Sequence, residues 1–309
     1  MNATRKLSLV ALLEMFPDER SAVQWLEAQR WPDGPECTHC GSDNVRAEKH
    51  ARPMPWRCRD CRKHFSVRTG SVMAESPLPL RKWVLAYWLY ATSPKGVSSL
   101  TLARDLGISQ KSAWFMAHRI REAMRDEDLP LFEGPVEVDE AYVGGLEKNK
   151  HRCKRQRVGG GGGGKTIVAG VLDRATNQVS AAVIPDVTRS VMRRFIRKRV
   201  HPLAIVCTDE AGGYRNIPFR RRMVNHSRGH YVDGDVYTNG IESFWALLKR
   251  AHKGTHHWMS PKHLDRYVQE LAARHGLRNQ PTLDVLRTVV RRGIGRRLTY
   301  ADLTAPVPR

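Results

Sequence analysis

Val136-Glu137-Val138-Asp139-Glu140-Ala141-Tyr142-Val143 is the stretch on which the fold of this 309-residue chain turns. Its apolar residues alternate with acidic ones, the pattern of a strand with two differently used faces. Two further strands are expected at Lys165 to Leu172 and Val179 to Ile184, with turn residues Asp173 to Asn177 between them. A basic helix over Ser190 to Val200 then leads to a second apolar run that ends in acid, Ala204-Ile205-Val206-Cys207-Thr208-Asp209-Glu210. Later comes Tyr237-Thr238-Asn239-Gly240-Ile241-Glu242-Ser243-Phe244-Trp245-Ala246-Leu247-Leu248-Lys249-Arg250. Here Ile241, Phe244, Trp245 and Leu248 recur at i, i+3, i+4 and i+7, which is one apolar stripe of a helix. Glu242 and Lys249 flank that stripe, and Asn239 lies one turn before Glu242. Pro261 to His275 reads as a further helix.

Three strands, helix, strand and later helix is the order of a ribonuclease H-like α/β domain with a mixed sheet, which carries acids on its first and fourth strands. DNA strand cleavage and joining need an attacking oxygen, an in-line leaving oxygen and neutralisation of the phosphate between them. Two divalent ions held by a few carboxylates supply all three. Asp139 and Asp209 are therefore the expected magnesium or manganese ligands. Taken singly, Asp139 also fits a surface acid beside Glu137 and Glu140, and Asp209 a turn residue before Gly212-Gly213. Glu242 is favoured as the third ligand because a carboxylate neutralises a cation better than the amide of Asn239. The pair also fits a helix start, with Asn239 as cap and Glu242 reaching back to its amide. Lys249, with Arg250 beside it, is expected to meet the DNA backbone; a solvent-facing lysine is the plain alternative.

The charge balance points the same way. Against 31 Asp+Glu stand 52 Lys+Arg, a net +21, which attracts polyanions and makes double-stranded DNA the leading partner over anionic membrane. The excess is clustered at Arg193-Arg194, Arg197-Lys198-Arg199, Arg220-Arg221-Arg222, Arg291-Arg292 and Arg296-Arg297. A membrane span is not expected, because no run reaches the roughly 18 apolar residues that one needs. Arg5-Lys6 followed by Leu7 to Leu13 imitates a secretory signal, but charged and proline-containing sequence follows instead of a cleavage site. This end reads as amphipathic helices of a mature cytoplasmic protein.

Four of the six cysteines form Cys37-x2-Cys40, seventeen intervening residues, then Cys58-x2-Cys61. This is the paired-knuckle spacing of a zinc ribbon, with all four positions filled by sulfur and none open to substrate. Disulfides are the alternative, disfavoured in a reducing cytosol. Cys207 reads as a small core residue and Cys153 as incidental. After the ribbon, Leu80 to Tyr90 suits a buried helix. Ser98 to Leu106, the Gly107-Ile108-Ser109 turn and Gln110 to Met124 then suit a helix-turn-helix. Gln110, Lys111 and Ser112 would start its recognition helix, with Arg119, Arg121 and Arg125 placed for phosphates. Gly159 to Thr166 formally matches a phosphate loop, yet a strand follows it where a helix is required, so it reads as a basic hairpin tip.

In its order of motifs the chain resembles the DDE-type insertion-sequence transposases, in the Merlin-related, ISXO-like branch that begins with a zinc ribbon. The resemblance runs from about Phe16 to about Asn279. It rests on Arg30-Trp31-Pro32-Asp33-Gly34, Phe65-Ser66-Val67-Arg68-Thr69-Gly70-Ser71 and Glu137 to Gly145, and further on Thr238 to Trp245 and Lys262-His263-Leu264-Asp265-Arg266-Tyr267. It implies a core that cuts at transposon ends and joins them to target DNA, with water and then a freed 3′ hydroxyl as nucleophiles. The third catalytic position is glutamate or asparagine in such families, so both Glu242 and Asn239 are eligible. Tyr237, where related chains often have histidine, and the long glycine run depart from the pattern.

The expected organisation is therefore α+β and multidomain. Amino-terminal helices (1–34), zinc ribbon (35–75) and helix-turn-helix (76–128) precede the catalytic domain (129–280) and a basic carboxy-terminal tail (281–309). A bacterial, nucleoid-associated protein, assembling as a dimer or larger so as to hold two element ends, is what the resemblance implies. A non-catalytic DNA-binding regulator of the same build is the other reading, and a nuclease without joining activity a third.

Overall fold

Short polar caps start most helices of the amino-terminal part. In the computed structural model, which describes residues 6–48, 53–126, 129–145, 151–154, 163–210, 212–223 and 238–306, the chain divides into two units. Tyr237, Glu127-Asp128 and Gly159 to Gly162 lie outside the described residues. One unit comprises Met1–Arg125 with Asn279–Arg309, the other Asp126–Arg278.

In the first unit α1 (Leu9–Met15) starts on Ser8, whose hydroxyl accepts from the Ala11 amide. A reciprocal Asp18–Ser21 capping box starts α2 (Glu19–Arg30). β1 (Val45–Ala47), β2 (Trp56–Cys58) and β3 (His64–Phe65) form a three-stranded antiparallel sheet around the cysteines. The N-cap of α3 (Leu80–Thr92) is Pro79, which offers no side-chain acceptor; the Glu19 carboxylate accepts from the Leu80 and Arg81 amides instead, at 2.6 and 2.9 Å. α4 (Ser99–Leu106) ends on Gly107 in the left-handed region, φ 57°, and Ser109 caps α5 (Gln110–Met124). The glycine is needed there because a Cβ would strain that turn.

The second unit is built on a five-stranded mixed sheet. β4 (Val136–Val143) lies at its centre, antiparallel to β5 (Thr166–Asp173), which is antiparallel to β6 (Val179–Ile184). After α6 (Arg189–Arg197) the chain returns as β7 (Ile205–Thr208), parallel to β4, and β8 (Arg220–Met223) adds to its outer side, also parallel. The order is β6-β5-β4-β7-β8. α7 (Asn239–Arg250) continues through a π-helical stretch, Ala251–His256, and is followed by α8 (Pro261–Leu277).

The two faces of the sheet bury different cores, as the alternation along β4 requires. Val136, Val138, Ala169, Val171 and Val206 pack against Val191, Met192, Phe195 and Ile196 of α6. Ala141, Val143, Val168, Leu172 and Ala181 pack against Ile241, Phe244, Trp245 and Leu248 of α7 and Leu264, Val268 and Leu271 of α8. The remaining residues of β4 on this second face are Glu137 and Asp139.

Residues 281–309, expected to be a basic tail, contain α9 (Thr282–Arg292) and α10 (Tyr300–Thr304) and fold into the first unit. α9 buries Val285, Leu286, Val289 and Val290 and packs on α2, α3 and α5. That run of four apolar residues outweighs the charge of Arg291-Arg292 and Arg296-Arg297. No helix among the described residues is long and apolar enough to cross a membrane.

Candidate active site

Asp139 and Asp209 are brought together by the parallel pairing of β4 with β7. Glu137 is opposite Cys207, so Asp139 is level with Asp209, the residue immediately after β7. Asp139 is half-buried. Burial first, with the negative charges of Glu140 and Asp209 adding to it, pushes its carboxyl up to about 7. A half-buried carboxyl that faces a second acid favours a cation, since the ion removes the repulsion that the proton otherwise relieves.

Three neighbours fix these acids. The Trp245 indole N–H of α7 donates to Asp139 Oδ2 at 3.0 Å. On the adjoining strand the residue opposite Asp139 is Gly170, where a Cβ would lie 2.7 Å from Trp245 Cη2, so only glycine lets the indole reach the carboxylate. From β8, Arg221 donates through Nε to Thr208 Oγ1 at 2.8 Å and through its terminal nitrogen to the Asp209 carbonyl at 2.7 Å. The Asp209 backbone is thereby held to the sheet.

Glu137 is the acid whose role the sequence hid. It is 1% exposed, accepts from the Ile241 amide at 2.9 Å and pairs with Arg174 Nε at 2.9 Å. Buried two residues before Asp139 on the same face, it anchors the positive end of α7 over the sheet. Gly240 makes room for it, because a Cβ there would lie 2.9 Å from Glu137 Oε2. Glu140 points to the opposite face, where the Tyr214 hydroxyl donates to it, and burial raises its carboxyl. The only signals for Glu137 in the sequence are its alternation with Val136 and Val138 and its proximity to Asp139.

Glu242 and Asn239 are both exposed in the first turn of α7. Thr238, not Asn239, is the N-cap, and its hydroxyl donates to Glu242 Oε1 at 2.9 Å. Glu242 therefore does not reach back to the Asn239 amide as a capping box would. Lys249 and Arg250 are exposed at the far end of the helix.

The four cysteines converge as expected. Their sulfurs all lie within 4.8 Å of one another, with Cys37–Cys61 at 3.5 Å and Cys40–Cys58 at 3.7 Å. Tetrahedral zinc with bonds of about 2.3 Å requires sulfurs about 3.8 Å apart. The His39 and Cys61 amides donate to Cys37 Sγ and Cys58 Sγ, which favours the thiolate form that a metal binds. The cluster is consistent with structural zinc. Among the described residues it is the one group of three or more cysteine, histidine or acidic side chains so drawn together.

Of the α5 residues, Gln110 is exposed and donates to Ser99 Oγ at 3.0 Å, while the Lys111 ammonium lies 5.0 Å over the Tyr300 ring of α10. Ser112 is half-buried and bonded to Ser109. Arg119 departs from its expected place on a phosphate. It is buried, stacked 4.2 Å over Phe115, with Nε donating to the Leu298 carbonyl at 3.3 Å. The segment read as a tail covers that flank of α5 and turns the guanidinium inward.

Residues 132–275, the sheet and the helices over it, match the family model described as the ISXO2-like transposase domain, and residues 17–64 match the transposase zinc-ribbon domain. A relative from Halobacterium salinarum, described as an uncharacterized protein in transposable element ISH50, is 30% identical over 90% of this chain and 98% of its own length. The chain belongs to the zinc-ribbon-bearing ISXO2-like DDE transposases. An uncharacterized transposase-like protein of Haemophilus influenzae is similar over a shorter span, 31% identical across 30% of this chain and 76% of its own length. A DDE transposase domain implies polynucleotidyl transferase activity, a divalent metal and binding to DNA.

Proposed function

We propose that this chain is the transposase of an insertion sequence: it binds the element's terminal inverted repeats and catalyses divalent-metal-dependent strand cleavage and strand transfer. The observation that carries the reading is the meeting of Asp139 and Asp209 on adjacent parallel strands beneath α7. The strand order β6-β5-β4-β7-β8, third-second-first-fourth-fifth, supports the ribonuclease H-like assignment of the domain.

Asp139 and Asp209 would hold magnesium or manganese, and helical geometry favours Glu242 over Asn239 as the third ligand. At 100° per residue, Glu242 lies about 60° around α7 from Trp245, which touches Asp139, whereas Asn239 lies about 120° away. The other flank of the helix turns toward α8, where Phe244 meets His275 edge-on at 5.8 Å, so the Glu242 flank is the one toward β7. Lys249 shares that flank, two turns on, and would bind a phosphate of the strand being cut. When bound, the ions supply charge neutralisation at the phosphate and activation of the attacking oxygen. Trp245 keeps one Asp139 oxygen oriented, Arg221 fixes the Asp209 backbone, and Glu137 holds the helix that carries Glu242.

The zinc ribbon and the α4–α5 pair, joined by the Gly107 turn as a helix-turn-helix, would recognise the inverted repeats, with Gln110, Lys111 and Ser112 at the exposed start of α5. Two ends must be held at once, so a dimer or larger assembly on DNA is part of this reading. Asp139→Ala and Asp209→Ala should each abolish magnesium-dependent transfer of a labelled element end while end binding persists. Transfer retained in both variants would leave only a DNA-binding regulator.

A further inference from the structure

Between Glu242 and Asp265 the chain contains no acidic residue, while Lys249, Arg250, Lys253 and Lys262 all fall within it and are exposed. In this basic stretch stands Trp258, 61% exposed, the most exposed aromatic side chain among the described residues. An indole left in water forgoes the burial that usually keeps tryptophan inside.

Its backbone is not loose. Met259, the next residue, is 4% exposed and packed in the core beneath α7 and α8. Two residues before it, His256 meets Tyr267 edge-on with ring centroids 4.8 Å apart. Between them His257 has a positive φ, 57°, which a non-glycine residue seldom adopts. Support on both sides of an exposed ring, in a stretch whose charged residues are all cations, is the build of a stacking platform for a nucleobase. A second copy of this chain is a poorer occupant, because a stretch with four exposed cations and no acid would repel its like.

We infer that Trp258 stacks on an unpaired base of the DNA strand that runs out of the active site along α7. Trp245, which touches Asp139, is thirteen residues earlier, and between them run the last five residues of α7 and the six of the π-helical stretch. Lys249 and Lys253 bind the phosphates on the way, and the indole takes a base that strand opening has freed. That the strand belongs to a transposon end rests on the transposase reading; the platform itself does not.

The test uses the full-length, zinc-loaded chain without magnesium and two fluorescein-labelled probes, a strand of twenty thymidines and a twenty-base-pair duplex. Trp258→Ala should weaken binding of the single strand about tenfold, leave the duplex within about twofold, and leave the salt dependence of both unchanged, since no charge is removed. Trp258→Phe should recover most of the loss. Lys253→Ala should reduce the salt slope of single-strand binding by about 0.7. Unchanged single-strand affinity in Trp258→Ala, an equal loss on both probes, or a phenylalanine no better than alanine would overturn the proposal. Asp139 and Asp209 take no part in this assay, so its failure is separable from failure of strand transfer.

Discussion

Replacing Glu137 by alanine should loosen the helix that carries Glu242 without touching either aspartate. The buried carboxylate accepts from the Ile241 amide and pairs with Arg174, whose side chain is 14% exposed. Leaving a buried amide without an acceptor costs about 1–3 kcal/mol. Removing one partner of a buried ion pair costs about 3–5 kcal/mol, a range that already includes part of the first term. Because Arg174 has other interactions, the lower end applies, and the expected loss is about 3 kcal/mol. Glu137→Gln keeps an acceptor for Ile241 and should lose about half as much. Hydrogen exchange of the peptide spanning 239–245, read beside urea unfolding of the full chain, checks both numbers. Unchanged protection of that peptide in Glu137→Ala, with a stability change below about 0.5 kcal/mol, would refute the anchoring role.

Gly170→Ala puts a methyl 2.7 Å from the Trp245 ring, so the indole must leave Asp139; a loss of about 1–3 kcal/mol and weaker strand transfer should follow, with stability recovered in the Gly170→Ala, Trp245→Phe double variant. Chelation should release one zinc per chain, counted with a colorimetric reporter, and abolish exchange protection over residues 37–65. Strands of three, three and two residues cannot hold that sheet without the metal. Burial, with Arg278 nearby, lowers the His275 imidazole to about 4, so the folded chain binds fewer protons than the unfolded one between about pH 6.5 and 4. Stability should therefore fall as the pH drops through that window. His275→Phe should flatten the decline in melting temperature between pH 7 and 5, and an identical decline in the two proteins would count against it.

Much of the second unit can be read from sequence because its signals are local. β4 declares itself by alternation, Asp139 and Asp209 by ending or breaking apolar runs, and α7 by its stripe. β8 gave no such signal: Arg220, Arg221 and Arg222 form an edge strand whose register comes wholly from β7, and its charge suits an edge. Glu137 was equally obscure, since its burial depends on Ile241, 104 residues away. In the first unit surface charge masks an apolar helix face. Arg291-Arg292 and Arg296-Arg297 made residues 281–309 resemble a solvated tail and hid the apolar face of α9. An open flank of α5 would leave Arg119 to a phosphate, but Leu298 and Phe115 enclose it. Lys111 and Gln110 remained at the exposed start of the helix because its capping serine fixes that end.

On the proposed reading Asp139 and Asp209 together hold the catalytic ions, with Glu242 as the third ligand. Anomalous scattering from manganese-soaked crystals of the full chain tests it most directly. Density between the Asp139 and Asp209 carboxylates, with a Glu242 oxygen about 2.2 Å from an ion, is the predicted result. Manganese bound elsewhere, or bound there by Asn239 with Glu242 turned away, would contradict it.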